Sequence, residues 1–443
     1  MELRDFLITP VVLMMVYAGA YAIRPVVTDA QTRRYFIPGL TVRILGAIAL
    51  GLVYQHYYGW GDTFNYHSNG SRIVWESFMD NPSNLLRLVF GANDSEIGIY
   101  KYSSKIVFFH DPNSYFIVRI ASLFDVLTFS SYSGTAVFFS VFSFTGMWML
   151  FQTFYKEYPH LHFRLAVATL FVPSVVFWGS GILKDTVILA CIGMATHQIH
   201  SLFIQHRWKF YSVVILLASL YLTYKIRVFV LQAYLPAVIL WVFAGNFQAI
   251  RSTVVKIMAV PFVTCVLLVS AYYAVVKVGE DDKKYSVTNL ARTSKITAYD
   301  IGFYTGRGAG SSYALEVSDW TPLGMLRSAP AAINVSLFRP YIWEARNPLM
   351  LISSMESTVL FVFTLYILIS NFRLSMISLT NQHVLFCLIF SLVFAFAIGI
   401  STFNFGTLTR YRILLLPFFA LALVIMNDYS KRERKLSVLE ATE

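Results

Sequence analysis

The feature that most constrains this chain is a series of apolar runs, each about 15 to 23 residues long and separated by short charged connections. A run of that length can cross the hydrocarbon core of a bilayer as an α-helix. Strands of a transmembrane barrel would instead alternate apolar and polar residues one by one. With only 13% charged residues, the sequence predicts an all-α polytopic integral membrane protein, built as one transmembrane domain over residues 1–443.

The runs predict about eleven transmembrane helices, within a range of roughly 10 to 13. They lie near residues 6–23, 41–58, 132–154, 165–182, 186–204, 210–224, 228–247, 254–277, 350–370, 383–402 and 410–427. All three cysteines fall inside these runs, so neither a disulfide framework nor a cysteine-based zinc site is expected. A net charge of +11 points to nucleic acid only in a soluble chain, and no nucleic-acid partner is expected here.

The placement of Lys and Arg predicts that the N-terminus lies outside and the C-terminus inside. In that orientation most basic residues of the short connections face the cytoplasm, including the basic tail 428–443. The alternative is that Ala18-Gly19-Ala20 is a signal-peptidase site. However, residues 1–5 carry no net positive charge, and the basic residues from Arg24 to Arg43 fit an inner flank.

Two long segments then become extracytoplasmic loops, 59–131 and 278–349. In the first, the stretches 72–90 and 115–130 are too polar to span a bilayer. The second of these stretches holds Arg119 and Asp125 in an apolar surround, which suits a helix lying in the membrane interface. A twelfth span at this stretch is the alternative, but it would place the basic tail outside.

The first loop begins with Gly59-Trp60-Gly61-Asp62-Thr63-Phe64-Asn65-Tyr66-His67. Asp62 would lie at the outer edge of the bilayer, where partial desolvation by lipid and Trp60 suits a carboxylate to accept a proton from a sugar hydroxyl. An ordinary solvated loop aspartate is the alternative. His67 is a candidate acid or, together with Asp62, a candidate ligand for a divalent metal, and the alternative is that it serves neither role. No other cofactor is expected.

Two further clusters of charge interrupt apolar sequence on the predicted outer side. Lys184 and Asp185 follow a glycine-containing break between two spans, where a charged pair is costly unless it faces a cavity or pairs internally. Lys225 and Arg227 lie on the side that the positive-inside rule disfavours, so an anionic ligand such as a lipid phosphate would explain them. The alternatives are a capped hairpin tip and snorkelling to lipid head groups.

The fourth cluster precedes the ninth run and extends into it. Arg339, Glu344 and Arg346 could form a salt-bridged clamp within an aromatic belt, and Glu356 inside the next span should be protonated, paired or cavity-facing.

Arg410 and Arg412 open the last run from the outer side. They diverge by about 200° on a helix, so we expect one to bind an anion and the other to pair with a carboxylate. Because all five clusters fall on one predicted face of the membrane, the economical interpretation is one outward-facing polar site.

This arrangement resembles the membrane glycosyltransferases of the GT-C type, in which an acidic residue near the start of the first extracytoplasmic loop is catalytic. The match rests on Asp62 after the second run, the stretches 72–90 and 115–130, and the outward basic residues. Gly61-Asp62 followed by Tyr66 is also similar to the Gly-x-Asp-x-x-x-Tyr region of bacterial exopolysaccharide polymerases of the Wzy and EpsG kind. Arg410-Tyr411-Arg412 is similar to sequences common in both groups.

The resemblance implies sugar transfer on the outer face of a bacterial inner membrane, from a polyprenyl-phosphate-linked donor to a glycan or lipid-linked acceptor. Asp62 would be the base. The residues expected to bind substrate are Tyr66, His67, Lys184, Asp185, Lys225, Arg227, Arg339, Glu344, Glu356, Arg410 and Arg412. Two alternatives stay open: a transporter or flippase for a lipid-linked or anionic substrate, and a membrane assembly factor without chemistry.

Overall fold

The chain folds into α-helices, and no β-strand occurs in the part that the structure describes. A computed structural model describes residues 2–91, 98–246, 322–370, 372–402 and 404–440, with a few single positions between them. Seven helices in these ranges are long and apolar enough to cross a membrane, or eight if one bent pair forms a single span. The chain is therefore an all-α, multi-pass membrane protein, as the apolar runs predicted.

Contacts divide the chain into two compact units. The N-terminal unit contains Met1–Gln198 and Phe210–Arg227, and the C-terminal unit contains Ile199–Lys209 and Val228–Glu443.

The helices of the N-terminal unit begin with two long membrane spans and continue through a series of shorter helices. They are α1 (Leu3–Val27), α2 (Arg33–His56), α3 (Asp62–Tyr66), a π-helical turn (His67–Ser71), α4 (Arg72–Asp80), α5 (Pro82–Phe90), α6 (Tyr100–Ser103), α7 (Pro112–Thr128), α8 (Tyr132–Glu157), α9 (His162–Leu170), α10 (Pro173–Trp178), α11 (Lys184–Ile199) and α12 (Phe210–Ile226).

Helix α8 is the centre of the N-terminal unit. On α2, the Phe36 ring lies edge-on to Phe144 and Trp148 of α8, with ring centroids 5.1 and 5.0 Å apart. On its other side α8 approaches α11 so closely that a Cβ atom at Gly146 would lie 2.2 Å from the carbonyl oxygen of Ala190. Small residues at such a crossing let two membrane helices pack backbone to backbone.

The described helices of the C-terminal unit start with a π-helical turn (His200–Ile204) and α13 (Val228–Asn246). They continue with α14 (Pro322–Arg327), α15 (Ala329–Phe338), a 3₁₀ turn (Ile342–Glu344), α16 (Pro348–Ser370), α17 (Phe372–Ser378), α18 (Gln382–Ser401), α19 (Phe405–Tyr411), a second 3₁₀ turn (Arg412–Leu414) and α20 (Leu416–Glu440). Aromatic rings hold α13 to α18, where Trp241 stacks on Phe386 with centroids 4.3 Å apart. Phe390 of α18 lies edge-on to Phe418 of α20 at 4.9 Å.

Two of the predicted spans differ from the structure, and a third is not among the residues that the structure describes. The span expected near 165–182 is divided into α9 and α10, because Pro173 lacks the N–H that a continuous helix needs there. The last span is bent by 60° between Phe405–Leu414 and Leu416–Arg432. The span expected at 254–277 and most of the loop 278–349 lie outside the described residues.

Candidate functional site

Asp62 begins a helical run directly after the second membrane span. Helix α2 ends at His56, and the chain reverses through Gly59 and Gly61, whose φ angles are 78° and 157°. A side chain at Gly61 would also collide with the ring of Tyr54, at 2.3 Å. These two glycines therefore allow a tight turn that leaves the Asp62 carboxylate half-buried in the first turn of α3.

Behind Asp62 the same helical run is buried. Tyr66, an expected substrate-binding residue, is 2% exposed and packs against the ring of Phe108 at 4.9 Å. Thr63 shares a hydrogen bond with the hydroxyl of Tyr132 at 2.8 Å. Trp60 stacks on Phe64, with centroids 5.3 Å apart. Asp62 therefore begins a helix, α3, whose following residues are well packed. This packing limits the directions in which the Asp62 carboxylate can point.

His67 lies in the π-helical turn and is fully buried, with Nε2 3.5 Å from Oδ1 of Asp125 on α7. Asp125 Oδ1 also accepts a hydrogen bond from the hydroxyl of Thr135. Neither His67 Nε2 nor Asp125 Oδ2 has a hydrogen-bond partner among the described residues. Asp125, which the sequence analysis assigned to an interfacial helix, has no exposed surface in the structure.

Lys184 and Asp185 are adjacent in sequence, yet each pairs with a different residue. Lys184 Nζ lies 3.7 Å from Oδ2 of Asp111, whose side chain is half-exposed. Burial alone would raise the pKa of the Asp111 carboxyl, but the Lys184 charge and hydrogen bonds from Ser114 and Asn113 outweigh it and hold that pKa below its usual value. This contact is a loose ion pair at the end of a short loop.

Asp185 forms a tight ion pair with Arg227, and both side chains are buried. The carboxylate has no exposed surface, so the pair is shielded from solvent and from bulk ions. Lys225, two residues earlier, is exposed and lies over the ring of Tyr221, with its ammonium 5.8 Å from the ring centroid. The sequence predicts that Lys225 and Arg227 both face an anionic ligand. The structure gives Arg227 an internal carboxylate, and anion binding by either residue stays a prediction.

In the C-terminal unit, Arg339 pairs with Glu344 as the sequence analysis expected for the clamp. Burial would raise the pKa of Glu344, but the Arg339 guanidinium and the backbone N–H of Tyr341 hold it below its usual value. Arg339 also lies over the ring of Phe405 at 5.2 Å. Arg346, the third expected member, is exposed.

Arg412 is nearly fully buried and supports the 3₁₀ turn that precedes α20. Its Nη1 donates to the carbonyl oxygen of Arg339 at 2.9 Å and to the hydroxyl of Ser357 at 2.8 Å. Its Nη2 donates to the hydroxyl of Ser353 at 2.8 Å and lies 3.5 Å from Oε1 of Glu356. Arg412 therefore contacts a carboxylate, and Arg410 is half-buried. Glu356 is paired, one of the three states expected for it.

Arg43 is a buried cation that the sequence analysis placed at the inner flank of the membrane. The structure instead puts it near the middle of α2, fully buried. Its Nη1 donates to Ser143 Oγ and to the carbonyl oxygens of Val175 and Gly179, at 2.9 to 3.1 Å. These carbonyls end α10, so Arg43 caps the broken helix. In the sequence, the feature that indicates this buried site is a single arginine within an apolar run, because a charge there needs internal partners.

Within the N-terminal unit the structure thus brings together Lys184 with Asp111, Asp185 with Arg227, and His67 with Asp125. Within the C-terminal unit it joins Arg339 with Glu344 and Arg412 with Glu356. The expectation that all five clusters line one site stays a prediction. No group of three or more metal-binding side chains occurs in the described ranges, and the divalent metal stays a prediction as well.

Comparison with known proteins gives no relative: no family model matches the chain, and no match is found among curated proteins or among solved structures.

Proposed function

We propose that the protein is a membrane glycosyltransferase or polysaccharide polymerase that uses a polyprenyl-phosphate- or pyrophosphate-linked sugar as donor. In this proposal the chain has about eleven spans in the cytoplasmic membrane of a bacterium, with the N-terminus outside and the C-terminus inside. Transfer takes place on the extracytoplasmic side, to a glycan or lipid-linked acceptor.

The observation that carries the proposal is the position of Asp62. Its carboxylate is half-buried, directly follows a membrane-spanning helix, and stands at the start of a helical run whose next residues are packed. A carboxylate held in this way near the membrane surface can meet both a lipid-linked donor and a water-soluble acceptor. Proton removal by a positioned carboxylate contributes typically 10²- to 10⁴-fold to a rate, as a rough guide.

In the proposed step, a carboxylate oxygen of Asp62 takes the proton of an acceptor hydroxyl. The acceptor oxygen then forms a bond to the anomeric carbon, while the bond from that carbon to the phosphate oxygen breaks. The electron pair leaves with the polyprenyl phosphate, and in-line displacement inverts the anomeric configuration. The leaving group carries its own negative charge, so it needs nearby cations more than a proton.

Lys184 is the described cation of the N-terminal unit best suited to stabilise this leaving group. Its contact with Asp111 spans 3.7 Å, and the Asp111 side chain is half-exposed, so replacing this contact with one to a phosphate costs little. Arg227 is less suited, because moving it towards a phosphate would leave Asp185 ionised and buried.

The test is the substitution Asp62→Asn, assayed as release of polyprenyl phosphate from a sugar-charged lipid in vesicles without a transmembrane gradient. We expect release to fall at least about 10²-fold, since the amide keeps the shape and loses the base. Asp80→Asn is the matched control, because Asp80 is an exposed carboxylate of the same segment, and it should keep wild-type release. Full release by Asp62→Asn would overturn the proposal.

One observation favours a second candidate, a transporter or flippase for a lipid-linked or anionic substrate. Transporters place polar groups beside broken helices near the membrane midplane, and Arg43 caps the broken helix α10 from the middle of a span. Movement of substrate that depends on a gradient, without release of polyprenyl phosphate, would favour this candidate. Release without any gradient would favour glycosyl transfer.

A further inference from the structure

Trp60 presents a fixed aromatic surface two positions before Asp62. Its ring stacks on Phe64, with ring centroids 5.3 Å apart and an interplanar angle of 28°. Phe64 in turn stacks on the buried ring of Tyr132 at 4.7 Å, so the three rings form a column that runs into the protein. Trp60, at the outer end of the column, is 48% exposed. One face of its ring is therefore held by the protein, and the other face is open.

A hydrogen bond sets the orientation of the Trp60 ring as well. Its Nε1–H donates to Oδ1 of Asn65 at 2.8 Å, and Nδ2 of Asn69 donates to the same oxygen at 3.2 Å. An indole N–H can only donate, so the Asn65 atom that it contacts must be the amide oxygen. Asn65 Nδ2 is then a donor and Asn69 Oδ1 an acceptor, and neither atom is hydrogen-bonded to any residue that the structure describes.

The two amides and the Asp62 carboxylate form a row along one side of this helical run. Asp62 and Asn65 are three positions apart on α3, and residues at that spacing share a helix face. The hydrogen bond from Asn69 continues the row into the π-helical turn. All three side chains are half-buried, so they keep contact with solvent while their backbone is packed. Trp60, Asp62, Asn65 and Asn69 together form the ring-and-amide surface.

The chemistry of the ring-and-amide surface matches a pyranose sugar. The C–H groups on one face of a pyranose pack against the electron-rich face of an aromatic ring. The hydroxyl groups around its edge both donate and accept hydrogen bonds. The surface offers one open ring face, one amide donor, one amide acceptor and one carboxylate, on residues that are adjacent in the structure.

A lipid acyl chain is the competing occupant, because tryptophan is common at membrane surfaces. An acyl chain would cover the Trp60 ring and leave the amides of Asn65 and Asn69 facing hydrocarbon, where unpaired hydrogen-bonding groups are unfavourable. A ring that is already oriented also lowers the ordering cost of binding a ligand. The row of polar groups beside Trp60 therefore favours a sugar over lipid.

We propose that the ring-and-amide surface binds one pyranose unit of the acceptor, with its C–H face on Trp60 and its hydroxyl groups on Asn65 and Asn69. The acceptor is then a glycan, and the attacking hydroxyl lies on or next to the bound unit, within reach of Asp62. Sugar binding at Trp60 is independent of the reaction, whereas the role of that sugar as acceptor rests on the proposed function. The bonds made and broken are those of the proposed transfer.

The binding test uses the glycan that mild acid frees from the sugar-charged lipid, because this probe carries neither lipid nor phosphate. Its dissociation constant is measured by equilibrium dialysis against folded protein in lipid nanodiscs, which leave both membrane faces open. Trp60→Leu keeps an apolar side chain but removes the ring, so the dissociation constant should rise about tenfold. Trp60→Phe keeps a ring face and should stay within about twofold of wild type.

Trp208→Leu is the matched control, since Trp208 is also an exposed tryptophan packed on a phenylalanine, Phe203. This variant should bind the glycan like wild type. Equal dissociation constants for wild type and Trp60→Leu, or no measurable binding by wild type, would overturn the sugar site. If Trp60→Leu does not fold, Asn69→Ala decides: loss of its amide should weaken binding about threefold, and unchanged binding contradicts the proposal equally.

The acceptor role is tested in the release assay with the same glycan as added acceptor. Trp60→Leu should raise KM for the glycan about tenfold and leave kcat within about twofold, because stacking stabilises the bound and the reacting states alike. An unchanged KM, despite weaker binding in dialysis, would overturn the acceptor role. Full release by Asp62→Asn protein that still binds the glycan would overturn the proposed function and leave the sugar site intact.

Discussion

Lys184 and Asp111 of the N-terminal unit and Arg412 of the C-terminal unit differ in how deeply they are buried. In the C-terminal unit, Arg412 is nearly fully buried and bound to two serine hydroxyls, a backbone carbonyl and Glu356. In the N-terminal unit, Lys184 and Asp111 form a loose contact on partly exposed side chains, and Asp62 is half-buried. Cations that look alike in the sequence therefore divide into those that support the fold and those that are accessible to a ligand.

The largest effect on stability should come from Arg412. Replacing it with methionine removes the contact with Glu356 and the hydrogen bonds that join the 3₁₀ turn Arg412–Leu414 to α16, at a cost of roughly 3 to 5 kcal/mol. We expect a lower thermal unfolding midpoint and a lower yield of folded protein. Glu356→Gln should cost much less, because Arg412 keeps its serine and backbone partners. A fully stable Arg412→Met protein with impaired donor binding would instead make Arg412 a ligand residue.

The buried pair Asp185–Arg227 should behave like the C-terminal pairs, although it belongs to the N-terminal unit. Arg227→Met leaves Asp185 ionised and buried, so we expect destabilisation of roughly 3 kcal/mol. The double variant Asp185→Leu with Arg227→Met removes both charges and should recover most of that loss. Failure to recover, together with weaker donor binding, would show that Arg227 serves the substrate.

Lys184 should affect activity more than stability. Lys184→Met removes the cation that we propose stabilises the leaving group, so it should lower kcat about tenfold, with an unfolding midpoint close to wild type. Lys101→Met is the matched control, since Lys101 forms a similar contact with exposed Asp80 at 3.3 Å. Equal kcat values for the two variants would remove Lys184 from the proposed site.

The smallest expected effect is the acid dependence of the Lys184–Asp111 contact. Because the pKa of Asp111 is held below its usual value, the contact stabilises the fold above about pH 4 and is lost as pH falls through the lowered pKa. Wild type should exceed Asp111→Asn by less than about 1 kcal/mol at neutral pH. The difference should shrink as pH falls below about 4, and a difference that stays constant down to the acid limit of folding would contradict the assignment.

The sequence predicted helix positions well, because apolar run length is a local property. The runs at 6–23, 41–58 and 132–154 correspond to α1, α2 and α8. The partners of the charged residues were not predictable in the same way. Asp185 and Arg227 lie 42 positions apart, and Asp125 lies on a different helix from His67, so only tertiary packing brings them together.

Two local features of the sequence account for departures from the predicted spans and flanks. Pro173 interrupts an apolar run and divides the predicted span at 165–182. Arg43 lies inside an apolar run, where a charge has to be buried with partners, and those partners proved to be the carbonyls that end α10. Both follow from the need to satisfy backbone groups within a membrane.

The most direct test of the account is the single-turnover rate of polyprenyl phosphate release by folded Asp62→Asn protein, in vesicles without a gradient. The account predicts a rate at least about 10²-fold below wild type, at an unchanged unfolding midpoint. A wild-type rate in the folded variant would contradict it.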